Sequence, residues 1–198
     1  MNFFFKQFKK INSENFDKSN LFWSWIGSFL GILAISYFHT DFLDDTDLTL
    51  VVGSFGASAV LVYGAVNSPL AQPRNLIGGH IVSAIVGVIA YKLFYSNILL
   101  ASAIAVSTSI FLMQLTLTLH PPGGATALIA VIGSEQIHEL GFLYVIVPIF
   151  SGAMILFLIA VFVNNIPKNR AYPESFKNYL KKHYQRYKRK SLKRKRKI

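Results

Sequence analysis

One octapeptide concentrates the chemistry of this sequence: His120-Pro-Pro-Gly-Gly-Ala-Thr-Ala127. Prolines suit the first turn of a helix, where N–H groups have no internal partner, and a proline pushes the residue before it out of the helical region. The spacing predicts an extended stretch ending at His120 and a helix opened by Pro121 and running to Gly133. Gly123 and Gly124 lack a Cβ, so a ligand or another backbone can approach the helix start. Free N–H groups and partial positive charge there would hold an anion without any formal charge. His120 is expected neutral at that end, donating one hydrogen bond. The bland reading of the same run is a kink without a ligand.

The octapeptide has an echo. Gly56-Ala-Ser-Ala-Val-Leu61 matches Gly124-Ala-Thr-Ala-Leu-Ile129, and an alternating Leu/Thr/Val stretch precedes each. In the first copy Gly53, Ser54 and Gly56 are expected to open a helix as the prolines do in the second, with Ser54 as N-cap. Each copy has one apolar span before it and one after it. Two units of three segments, the second inverted, with interrupted helices meeting near the midplane, form a transporter architecture. The proposed cradle comprises Ser54, Gly56, Ser58, His120, Gly123, Gly124 and Thr126, with Arg74 as an anion-collecting vestibule or a plain topological marker.

Other candidates carry less. Asp41, Asp44, Asp45 and Asp47 could gather a cation but read as a solvated loop. His80, after Gly78-Gly79, reads as a cap or packing residue. Glu135-Gln-Ile-His138 has metal-site spacing but lacks the further ligands that a bundle site needs, so no metal is expected. With no cysteine, thiolate ligands and disulfides are excluded. Phosphate loops and nucleophile elbows are missing. No cofactor is expected and the chain does not read as an enzyme.

The elements that must position these residues are membrane helices. The chain has 198 residues, 53% hydrophobic and only 15% charged, against about 25% charged in soluble domains. Apolar segments run over 21–38, 48–66, 78–95, 97–113 and 141–163, each near the length that crosses a bilayer. Gly27 and Gly31 in the first form a small-xxx-small step suited to close helix contact. The first 20 residues do not read as a cleavable signal. Fourteen of the 20 Lys and Arg lie between Lys168 and Lys197, which puts the C-terminus on the cytoplasmic side. Lys6, Lys9 and Lys10 put the N-terminus there too, and Arg74 the second-to-third loop. Both termini inside require an even number of crossings. The sixth falls to the stretch around 120–133, whose ~20 Å of helix is too short for a ~30 Å core and must be completed by non-helical chain. The expected organisation is a segment 1–20, a membrane domain 21–166 and a basic tail 167–198 lying on anionic lipid headgroups.

His120-Pro-Pro-Gly-Gly, Gly53-Ser-Phe-Gly-Ala57 and Ser68-Pro-Leu-Ala-Gln-Pro-Arg-Asn75 with Gly78-Gly-His80 resemble the motifs of the HPP family of integral membrane proteins. The resemblance covers roughly 23–163 and departs at Gly123, where alanine is common. It implies a membrane domain usually described with four segments, fewer than the six crossings expected here. Because some members are associated with nitrite transport, it also implies nitrite as the candidate anion.

The expectation is therefore an all-α polytopic protein of a bacterial-type inner (plasma) membrane that transports a small anion. The rival is a membrane-embedded scaffold or regulatory protein without transport activity. Expected partners are the anion, lipid headgroups at the tail and, as an open alternative, a second copy in a homo-oligomer. No nucleic acid is expected.

Overall fold

The structure, a computed structural model, describes residues 17–174, and these are helical without a strand. Five helices are long and apolar enough to cross a membrane. Helix α1 is Lys18–His39. Helix α2 is Asp45–Ala59, continued by π turns over Val60–Gly64. Helix α3 is Pro73–Phe94 and α4 is Ile98–Leu115. The shorter α5 is Pro122–Ile132 and α6 is Glu135–Leu140. A π segment, Val145–Phe150, leads into α7, Ser151–Val163.

The starts follow from capping chemistry. Asp17, Asp44 and Asn97 accept from backbone N–H groups of the first turns of α1, α2 and α4, satisfying donors that have no partner inside a helix. Helix α3 begins with Pro73 at a position that needs no N–H.

Hydrogen bonds between elements fix which ends lie together. At one end, Arg170 reaches Asn20 Oδ1 at 2.7 Å and Ser24 Oγ at 2.8 Å, and the Tyr172 hydroxyl donates to the Ala71 carbonyl at 2.7 Å. At the other end, the buried Asp47 carboxylate accepts from the Ser134 N–H at 3.0 Å and from its hydroxyl, and the Asp44 N–H donates to Gln136 at 2.9 Å. The start of α1 and the segment after α7 therefore share one face.

The stretch expected to complete a sixth crossing is composite. After α4 the chain turns at Leu117, φ 57°, and runs non-helically to His120 alongside α3. Arg74 donates to the Thr116 carbonyl at 2.8 Å and Asn75 to the Leu119 carbonyl at 2.8 Å. A Cβ on Gly79 would stand 2.5 Å from His120 Cβ, and one on Gly87 would stand 2.4 Å from the Ala127 carbonyl. Beyond α5, His138 stacks on Tyr91 with ring centroids 3.6 Å apart. So 116–132 ascends parallel to α3 along nearly its whole length, part extended and part helix. Gly79, Ser83 and Gly87 recur every four residues, one face of α3, and their small size lets this pass approach closely. The Gly27/Gly31 step works the same way: a Cβ on Gly27 would meet the Tyr63 ring at 2.5 Å, and one on Gly31 its hydroxyl at 2.8 Å.

Three expectations need correction. The first copy of the repeat does not open a helix. Asp44 caps α2 nine residues before Gly53, so Gly53, Ser54 and Gly56 lie mid-helix and Ser54 is no N-cap. The membrane domain does not end at 166, because Tyr172 is fully buried in the main core and Arg170 is tied to α1. The last span begins at Val145 and not at Gly141, and a kink at Val147 interrupts it before α7. The basic residues from Lys177 onward, expected to touch lipid, lie outside the described residues.

Candidate functional site

Four of the eight expected side chains meet in one buried cluster. Ser54 and Ser58 come from α2, one turn apart on the same face. His120 comes from the end of the extended run and Thr126 from the second turn of α5. His80, from the second turn of α3, stands between them. All five are between 0% and 3% exposed.

The contacts form a continuous chain. His120 Nδ1 lies 2.8 Å from the Leu70 carbonyl. His120 Nε2 lies 2.9 Å from Ser58 Oγ. Ser58 Oγ lies 2.8 Å from His80 Nε2, and His80 Nδ1 lies 2.7 Å from Thr126 Oγ1. Thr126 Oγ1 lies 3.0 Å from Ser54 Oγ, which is also 3.1 Å from the Pro122 carbonyl. The two imidazoles sit 5.0 Å apart, and Phe55 covers His80 at 4.8 Å. The Tyr144 hydroxyl donates to the Thr126 carbonyl at 3.0 Å.

One end of this chain decides the rest. A carbonyl only accepts, so His120 donates from Nδ1. No carboxylate bonds either ring, and an unpaired buried charge is too costly to keep, so both imidazoles are neutral. His120 Nε2 must then accept from the Ser58 hydroxyl. That hydroxyl has one proton, so His80 donates to it from Nε2. His80 Nδ1 accepts in turn from Thr126, and the single Ser54 proton is shared between the Pro122 carbonyl and Thr126 Oγ1. From Thr126 onward every donor points the same way, toward Leu70.

The other expected residues are placed differently. The Gly123 N–H donates to the His120 carbonyl at 2.8 Å and the Gly124 N–H to the Pro121 carbonyl at 3.0 Å. Pro121 and Pro122 have no N–H to offer. Neither glycine N–H is therefore free, and the first copy lies mid-helix, so the cradle of facing helix N-termini is not formed. Gly123 packs on α3, where a Cβ would stand 2.7 Å from Ser83 Oγ. A Cβ on Gly56 would meet nothing within 4 Å, and one on Gly124 only a Val106 methyl at 3.9 Å. Arg74 is exposed and spends its guanidinium on the Thr116 carbonyl, where it pins the turn that starts the sixth pass. His138 donates to the Val131 carbonyl at 3.1 Å, and among the described residues no group of three metal-ligating side chains assembles.

Sequence reasoning undervalued His80, the residue that joins the two halves of the cluster. Its signal was present: a histidine two turns inside a helix otherwise apolar, one residue after a glycine pair. It also missed Arg170, which reaches the Tyr63 carbonyl at 3.3 Å and so supplies positive charge at the C-terminal end of α2.

Among the described residues, no buried side-chain nitrogen or oxygen lacks a partner. A groove of about 670 Å³ lies on the apolar outer face between α1 and α7, lined by Leu30, Leu33, Tyr37 and Phe162. It has no polar chemistry and stands apart from the cluster.

Comparison with known proteins agrees with this architecture. The family pattern described as the HPP transmembrane region matches residues 13–173. A transmembrane protein of Dictyostelium discoideum is 51% identical over 160 residues, covering 79% of this chain and 56% of the relative. A second from the same organism is 48% identical over 160 residues, covering 79% and 51%. This chain thus spans about half the length of the curated relatives it matches. No solved structure matches it. The five apolar spans, the composite pass through His120-Pro121-Pro122 and a family match over most of the sequence lead to one conclusion: the chain belongs to the HPP family of integral membrane proteins.

Proposed function

We propose that this protein transports a small inorganic anion, with nitrite as the family-implied substrate, across an inner (plasma) membrane in which both termini are cytoplasmic. The observation that carries this reading is the meeting of two histidines and three hydroxyls between helices long and apolar enough to cross a membrane, beside a stretch that is part extended. Ionisable groups within a membrane are functional suspects by default, and non-helical backbone survives there only when buried in protein or lining a wet cavity. His80 lies seven residues into α3, about 10 Å from its start, so the cluster sits within the hydrocarbon core. Ser54, Ser58, His80, His120 and Thr126 then act as a closed gate, and an anion replaces some of their mutual hydrogen bonds when the α2–α3–α5 seam opens. Side-chain hydroxyls and imidazole N–H groups take over the role expected of backbone donors. Arg74 stands at the cytoplasmic mouth.

The rival scaffold reading is favoured by one observation, the complete pairing of every buried polar side chain among the described residues. Reconstituted vesicles separate the two. The transporter reading expects nitrite uptake that saturates and exceeds protein-free vesicles by at least tenfold; uptake equal to the protein-free background would remove it. Orientation is checked separately. Reporters at Arg74 and after Ile198 should read cytoplasmic, and one after His138 external; a cytoplasmic reading at all three would contradict the sixth pass.

A further inference from the structure

We infer that the chain Ser54–Thr126–His80–Ser58–His120–Leu70 is a proton path across the inner half of the membrane, and that anion movement is coupled to it. This rests on the transport reading above and deepens it.

The argument is geometric. Five hydrogen-bonded links of 2.7–3.0 Å join six groups in series. Both imidazoles are bonded through both ring nitrogens, so each can take a proton on one side and release one on the other. Leu70 sits in the turn Pro69–Ala71, where Pro69 is exposed, so the chain ends beside the face that carries the start of α1 and the segment after α7. A scaffold needs buried polar groups to be satisfied, but it does not need them in series with one polarity.

The step balances without any other reactant. A proton arriving at Ser54 turns that residue's own proton from the Pro122 carbonyl to Thr126, and the Thr126 proton passes to His80 Nδ1. The His80 Nε2 proton passes to Ser58, and the Ser58 proton to His120 Nε2. The His120 Nδ1 proton leaves to solvent water when His120 parts from the Leu70 carbonyl, which cannot itself carry it. Each group ends with as many protons as it began with, and one has entered for one released. The state left behind sets the bare Nδ1 of His120 against a carbonyl oxygen. That repulsion favours parting His120 from Leu70, which links each transfer to movement of the 67–72 loop.

The path stops short of the other face. From Ser54 to Asp47 is two helical turns, about 10 Å, flanked by the fully buried Val51. This dry stretch holds protons back until the outer half opens. Tyr144 is the other titratable group at the cluster, and among the described residues no carboxylate, lysine or arginine is hydrogen-bonded to it.

The test uses the full chain in vesicles with a pH-sensitive dye inside and a nitrate or nitrite gradient at neutral pH. Nitrate serves because its acid form is too scarce at that pH to cross unaided. The expected result is a proton signal in fixed ratio to anion movement. Ser58→Ala should reduce it at least tenfold, Ser58→Thr should restore it, and in the unmodified protein D₂O should slow it about twofold. Anion movement without a proton signal, or one indifferent to Ser58→Ala and D₂O, would overturn the path and leave the transport reading standing. Proton movement that ignores both anions yet is lost in Ser58→Ala would keep the path and remove the anion. Movement of neither would end both.

Discussion

Gly56-Ala-Ser-Ala and Gly124-Ala-Thr-Ala are nearly the same sequence in two different backbones. The first lies inside α2, with its N–H groups consumed by a helix that Asp44 capped twelve residues before Gly56. The second forms the first turns of α5, directly after two prolines. What the copies share is a side-chain position. Ser58 and Thr126 occupy the same place in the repeat, and each bonds one nitrogen of His80. The comparison teaches that four residues can carry a side-chain face between contexts, whereas caps and prolines outside them decide where the helix starts.

The largest expected effect tests the seam that accommodates the second copy. Gly87→Leu places its Cβ 2.4 Å from the Ala127 carbonyl, and Gly79→Leu places one 2.8 Å from the Thr118 carbonyl. Backbone cannot swing aside like a side chain, so both should exceed the ~3 kcal/mol usual for overpacked cores. Size-exclusion profiles in detergent should show aggregate in place of a single peak. A monodisperse Gly87→Leu protein would mean that α5 does not pack along α3.

Next come the two equivalent hydroxyls. Ser58→Ala leaves a nitrogen on each of two imidazoles unpaired, whereas Thr126→Val leaves one on His80. At 1–3 kcal/mol per buried orphan, we expect losses of about 3 and about 2 kcal/mol, read from thermal unfolding in detergent. Equal losses would show that Ser58 does not bridge the histidines. A smaller effect tests where the first copy's helix begins. Asp44→Ala should cost about 1 kcal/mol, the usual worth of an N-cap, while Ser54→Gly should change α2 helicity little. A large loss of helicity at Ser54 would restore it as a cap.

The spans were legible because their apolar runs are long and glycine, proline and asparagine mark the turns. The composite stretch 116–132 was legible too, because Pro121-Pro122 allowed only a short helix after His120. The shared face of α2 was not. Nothing in Gly53-Ser-Phe-Gly distinguishes a helix start from a helix interior; Asp44, further back than the repeat itself, settles it. His80 was hidden for another reason. Its significance lies in Ser58 and Thr126 reaching it from either side, which a single helix cannot reveal. Tyr172 was masked by the basic residues around it, which made its segment read as tail.

The smallest expected effect separates the backbone cradle from the side-chain cluster. A cradle at the two helix starts would make Gly56→Leu and Gly124→Leu equivalent and blocking. The structure instead leaves the added Cβ in open space at Gly56 and 3.9 Å from one Val106 methyl at Gly124, and neither N–H is free to hold an anion. Leucine also gains up to about 1 kcal/mol of helix propensity over glycine. Both variants should therefore keep stability within about 1 kcal/mol of the parent or slightly above it, with nitrite uptake within about twofold. Folded Gly124→Leu protein with abolished uptake would place the anion at the start of α5, outside the histidine chain. Loss in Gly56→Leu as well would make the repeat a functional pair after all. Retained uptake in both, set beside loss in Ser58→Ala, would assign the chemistry to the one face that the two copies share.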